Sequence, residues 1–114
     1  MNYRIEISSI AEAEADKAFL RLSQISSPTK ASQWYSGLLD VITSLSQMPK
    51  RCPLARENEH FSQELRQLLY GQGRNSYRVI FTILEGQEIS TVRILHIRHA
   101  YQQTIGEDPE LDET

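Results

Sequence analysis

Apolar and polar residues alternate at the start of the chain. Tyr3, Ile5 and Ile7 point one way, and Asn2, Arg4, Glu6 and Ser8 the other. A period of two over residues 2–8 predicts a short, half-buried strand. The period then changes. Ala11, Ala15, Ala18, Leu22 and Ile25 recur at helical spacing, and Phe19 widens the stripe. Ser8-Ser9 offers an N-cap, with Glu12 as the capping-box partner of Ser9. This first helix is expected to run to about residue 25. Ser26-Ser27-Pro28 breaks and restarts the pattern, because Ser27 can cap and Pro28 suits a first helical turn. A second helix follows, with Ala31, Trp34, Tyr35, Leu38, Val41, Ile42 and Leu45 on one face and Pro49 at its end. So short a break predicts an antiparallel helical hairpin.

Residues 49–63 have no clean period and read as a loop, with room for one helical turn. Strand patterning then returns. Residues 65–70 form one expected strand, and Gly71-Gln72-Gly73-Arg74-Asn75 a turn. Residues 76–84 set Tyr77, Val79, Phe81 and Ile83 against Arg78, Ile80, Thr82 and Leu84. Residues 88–98 form the last strand, with Val92, Ile94, His96 and Arg98 expected on one face. Ile89, Thr91, Arg93, Leu95 and Ile97 take the other. The order β-α-α-β-β-β predicts an α+β fold, a helical hairpin packed on a small antiparallel sheet.

The 114 residues are 39% hydrophobic, 24% charged and 8% aromatic, a composition that argues against intrinsic disorder. No apolar run approaches the ~20 residues that span a bilayer. The first residues lack the apolar core of a signal peptide. A cytoplasmic protein without membrane association is expected. Cys52 is the single cysteine, so no internal disulfide can form. The net charge of −3 is unevenly spread. Five carboxylates, Glu107, Asp108, Glu110, Asp112 and Glu113, crowd the last eight residues. Residues 1–106 hold 12 basic and 10 acidic groups, a net of +2. One domain over 1–106 with an acidic, flexible tail at 107–114 is the expected organisation.

Candidate chemistry is confined to the end of the sheet. His60, His96 and His99 have no metal-ligand spacing, and no cysteine completes a set, so neither a metal nor a cofactor is expected. Arg98 ends the last strand among His96, His99 and Tyr101, and Arg78 lies on the neighbouring strand. Convergence on one concave surface would let the arginines bind phosphate in bidentate fashion. A histidine or tyrosine beside them would move a proton during phosphodiester cleavage. The plainer reading is two solvent-facing arginines on a half-exposed sheet.

Three blocks carry a family resemblance. They are Leu65-Arg66-Gln67-Leu68, then Ser76-Tyr77-Arg78-Val79-Ile80-Phe81, then Ile94-Leu95-His96-Ile97-Arg98-His99. With Tyr3-Arg4-Ile5-Glu6-Ile7 and Leu45-x-x-Met48-Pro49-x-Arg51, they make residues 2–100 resemble the RelE/ParE superfamily of toxins from type II toxin–antitoxin modules. The resemblance implies a small toxin neutralised by a cognate antitoxin. RelE-like members cleave mRNA in the ribosomal A site without a metal, whereas ParE-like members inhibit DNA gyrase and are not nucleases. In the ribonuclease branch Arg78 and Arg98 match residues that contact the scissile phosphate. His99 and Tyr101 lie near a catalytic histidine or tyrosine, with His96 adjacent. The lysine pair of RelE-like members is absent from Leu68-Leu69-Tyr70-Gly71-Gln72, and their late tyrosine falls near Thr104.

Two targets therefore stay open. Ribosome-dependent mRNA cleavage leads narrowly, on Arg78, His96, Arg98, His99 and Tyr101, with the ribosome and mRNA as partners. Gyrase inhibition is the alternative, and a net of +2 suits a protein target better than ribosomal RNA. A degenerate toxin that only binds its antitoxin is the third reading. Its partner surface would lie beside the hairpin and sheet edge, where Met48, Leu54, Phe61 and Leu69 serve either as lining or as core.

Overall fold

A computed structural model describes residues 2–60, 62–73 and 76–100. Strand β1 (Arg4–Ile7) leads into helix α1 (Ser9–Ile25) and helix α2 (Pro28–Ser44). A 3₁₀ turn (Pro49–Arg51) and a 3₁₀ helix (Arg56–His60) follow, then β2 (Arg66–Tyr70), β3 (Tyr77–Leu84) and β4 (Thr91–His99). The helix starts obey local chemistry. Ser8 caps α1 by accepting from the Ala11 N–H at 3.0 Å, and Ser27 caps α2 by accepting from the Lys30 N–H at 3.1 Å. Pro28 sits in the first turn of α2, where its missing N–H costs nothing. Phe61, Tyr101 and the acidic tail at 107–114 lie outside the described residues.

The sheet order is β1-β4-β3-β2. Strands β2, β3 and β4 form the expected antiparallel meander, but β1 runs parallel to β4, from Arg4 opposite Thr91 to Ile7 opposite Ile94. The sheet is therefore mixed rather than wholly antiparallel. Parallel neighbours need a long crossover, which the helical hairpin and the rest of the chain supply.

A β-bulge changes which residues of β4 share a face. Ile94 pairs with Phe81 and His96 with Ile80, so Leu95 is an extra residue on β4. Val92 and Ile94 face the hairpin before the bulge, and Ile97 and His99 face it afterwards, opposite Val79 and Tyr77. The expected single face of Val92, Ile94, His96 and Arg98 is thus split. The physical reason is burial: Ile94 and Ile97 are three residues apart, both belong to the core, and strict alternation would bury only one of them.

The main core lies between the hairpin and this face. Leu38, Ile42 and Leu45 pack against Val79, Phe81, Val92 and Ile94. The buried side of α1 is all alanine (Ala11, Ala15 and Ala18), so the helix approaches the sheet closely. On the far face, Ala55 and Leu65 of the connection between α2 and β2 pack on Ile80 and Leu95 in a small second cluster. Backbone bonds hold the connection in place. The Ala55 N–H donates to Leu65 O at 2.8 Å, and the Gln67 N–H to Pro53 O at 3.0 Å. At the end of α2, Met48 takes a left-handed backbone (φ 49°), a sparsely populated conformation for a side chain of its size. Arg51 secures the turn, donating to Gln47 O at 2.6 Å and Met48 O at 3.1 Å.

Trp34 has the expected packing role, in ring contact with Tyr35, Tyr70 and Tyr77. The Tyr70 hydroxyl crosses α2 at Gly37 and donates to Trp34 O at 2.7 Å. A Cβ at Gly37 would collide with that hydroxyl. Gly37→Ala is therefore expected to destabilise the protein by about 1–3 kcal/mol despite alanine's better helix propensity, as read by urea denaturation.

Candidate functional site

The residues singled out for phosphodiester chemistry are divided by the sheet. Arg78 and Arg98 are register partners on β3 and β4, as are Ile80 and His96, and all four side chains belong to the far face. His99 lies on the hairpin face, edge-on to Tyr77 with ring centroids 5.2 Å apart. It cannot join a concave surface with Arg98, because adjacent residues of a strand point to opposite faces. Burial pushes the Tyr77 phenol above its ordinary range, against a smaller opposing pull from Arg21. That shift is the reverse of what proton transfer near neutrality needs.

Both arginines are buried, not solvent-facing. Arg78 is 3% exposed and Arg98 5%. Arg78 is gripped by Glu57 of the Arg56–His60 helix, itself 0% exposed. Arg78 Nη1 donates to Glu57 Oε1 at 2.9 Å and Nη2 donates to Glu57 Oε2, a bidentate charge-assisted pair. Gln67 Oε1 accepts a further bond from Nη1 at 2.9 Å.

Arg98 and His96 are held from the other side by Glu14 of α1. Strand β1 stops at Ile7, opposite Ile94, while β4 continues to His99. Among the described residues, no strand neighbours the β1 side of β4 beyond residue 94, and Ser8 and Glu14 take that place. The Ser8 hydroxyl donates to Leu95 O at 3.1 Å, and the Ile97 N–H donates to Glu14 Oε1 at 2.9 Å. The same carboxylate has His96 Nδ1 3.2 Å from Oε1 and Arg98 Nε 3.8 Å from Oε2.

Sequence reasoning missed both carboxylates. Glu14 is one of several acidic residues on a helix, and Glu57 sits in a segment with no period. One signal existed: two arginines on facing strands demand counter-charges, although nothing local says which residues supply them. Cys52 is buried, and burial raises its thiol pKa while Arg51 and Arg66 pull the other way. Among the described residues no three His, Cys, Asp or Glu side chains are grouped to hold a metal ion. Nor is any helix there long and apolar enough to cross a membrane.

Two helices on a four-stranded mixed sheet with this order define the RelE/ParE toxin fold. A chain from the chromosomal ParDE toxin–antitoxin system of P. aeruginosa has the same fold, with a TM-score of 0.66 at 18% identity. The match covers 85% of this chain and 95% of that one. A family model described as the ParE toxin of the type II toxin–antitoxin system parDE matches residues 5–102. This chain belongs to that ParE toxin family. No curated protein matches it significantly.

Two substitutions report on the ionic network. Glu57→Ala leaves a buried arginine uncompensated and is expected to cost about 3–5 kcal/mol, as read by urea denaturation. Glu14→Ala leaves the Ile97 amide without its acceptor. It is expected to cost about 1–3 kcal/mol and to speed hydrogen exchange at that amide.

Proposed function

We propose that this chain is a growth-arresting toxin that inhibits DNA gyrase in the cytoplasm and is neutralised by a cognate antitoxin. One observation carries the choice of target. Arg78 is consumed by a buried internal carboxylate, Arg98 is buried opposite it, and His99 faces the other side of the sheet. A nuclease must present its phosphate-binding and proton-transfer groups together on an open surface. The ParE description of the matching family model favours the same reading. A body charge of only +2 fits a protein target better than ribosomal RNA, whose binding gains from counterion release.

The antitoxin surface follows from what stays uncovered. Met48, Leu54 and Leu69 are exposed rather than part of the core, which leaves them available to an antitoxin segment.

The test is to express the chain without its antitoxin, map mRNA 5′ ends, and add purified protein to a gyrase supercoiling assay. Growth arrest with intact messages, DNA-damage signalling and inhibited supercoiling are expected. Cuts within translated codons would overturn this reading for ribosome-dependent mRNA cleavage, with Arg78, His96, Arg98, His99 and Tyr101 to mutate next. Unimpaired growth would mean a degenerate toxin that only binds its antitoxin.

A further inference from the structure

Two cations on α1 stand where the chain leaves the sheet. Lys17 and Arg21 are four residues apart, so they share one side of the helix, and both are exposed. Like charges at that spacing repel. Neither has an ion-pair partner among the described residues. An anion bridging the two would turn that repulsion into attraction.

Their position along β4 follows from the contacts of α1. The helix starts at Leu95, whose carbonyl accepts from Ser8, and Glu14 accepts from the Ile97 N–H at 2.9 Å. From Glu14 to Arg21 the helix rises about 10 Å. From Ile97 to Ala100 the strand also advances about 10 Å. Arg21 is therefore level with Ala100. The Tyr77 phenol feels the Arg21 charge, and Tyr77 is the register partner of His99. From the far face, Arg56 Nη2 donates to Ala100 O at 3.3 Å. The chain thus leaves β4 with cations on both sides.

The segment that follows has the complementary charge. Residues 101–106 carry no charged side chain, and Glu107, Asp108, Glu110, Asp112 and Glu113 come next. Six residues span at most about 20 Å, enough to bring residue 107 back along α1 to Lys17. So short a linker holds the carboxylates at an effective concentration on the order of millimolar, which favours this chain's own segment over a second copy.

We propose that residues 107–114 seat their carboxylates on Lys17 and Arg21, an internal latch across the end of the sheet. The latch neutralises both cations and closes that side of α1 to other anions. It is the same contact whether the target is gyrase or mRNA.

The experiment is zero-length cross-linking of the full chain with a water-soluble carbodiimide. The reagent activates a carboxylate, and a lysine amine attacks the activated carbon. An amide forms, and the reagent leaves as its urea with the carboxylate oxygen. Peptide mapping by mass spectrometry identifies the products, and the Lys50–Glu85 ion pair at 2.5 Å is the internal control. A product joining Lys17 to a carboxylate of 107–113 is expected. Arg21→Gln should lower its yield by about threefold, the loss of one exposed ion pair. Salt at about 1 M, with a Debye length of about 3 Å, should suppress it further. A Lys50–Glu85 product without the Lys17 product overturns the proposal. So does a tail joined to Lys30 or Lys50 in place of Lys17, or a Lys17 product that Arg21→Gln leaves unchanged. Mixing ¹⁵N-labelled with unlabelled protein identifies the occupant. Products of one isotopic mass support the latch, and hybrid masses assign the segment to a second copy and overturn it.

Discussion

Burying two guanidinium groups opposite one another constrains the whole far side of this fold. Arg78 and Arg98 sit on the two central strands, where water cannot neutralise them. The counter-charges must come from elsewhere in the chain. Glu57 arrives on the connection between α2 and β2, and Glu14 reaches from α1 to the open edge of β4. A net stabilising contribution from such buried pairs is small, because desolvation offsets most of the attraction. Breaking one is costly, however, so each pair admits a single docking of its element. The ionic network thus fixes where the irregular connection and the first helix meet the sheet.

The bulge at Leu95 connects that network to the apolar core. Before it, β4 sends Val92 and Ile94 inward; after it, Ile97 takes the inward position and releases His96 and Arg98 to the far face. Without the extra residue, Arg98 would point toward the hairpin beside Tyr77 and Trp34, away from Glu14 and the far face. The bulge lies where β1 ends, so the same short stretch loses its neighbouring strand. Ser8 and Glu14 then satisfy backbone groups that a longer β1 would have bonded. A side chain that caps an open sheet edge also discourages pairing with another chain there.

On the far face both arginines are buried, and the proposed function takes its choice of target from that. The arginine pair is buried, while Met48, Leu54 and Leu69 are exposed apolar side chains. Met48 is held out on a turn that Arg51 secures through the carbonyls of residues 47 and 48. Under the proposed function, this is the surface that a protein partner would cover, in keeping with the chain's place among the ParE toxins.

Much of the architecture was legible from local patterns. The alanine stripe of α1, the Ser27-Pro28 restart and the alternation through β3 each report a period or cap that a few neighbouring residues determine. Family membership was legible in the three strand blocks for the same reason. The parallel seating of β1 was not, because strand direction depends on the path of the whole crossover. The bulge was missed because alternation and a one-residue slip look alike until the facing strand sets the register. The roles of Glu14 and Glu57 were beyond any local reading, lying 84 residues from Arg98 and 21 from Arg78 in the chain. The sequence by itself determined which segments are helix and strand, and that two arginines fall at the end of the sheet. Only the tertiary structure decided that those arginines are buried against carboxylates, because charge neutralisation across the sheet depends on distance in space and not along the chain.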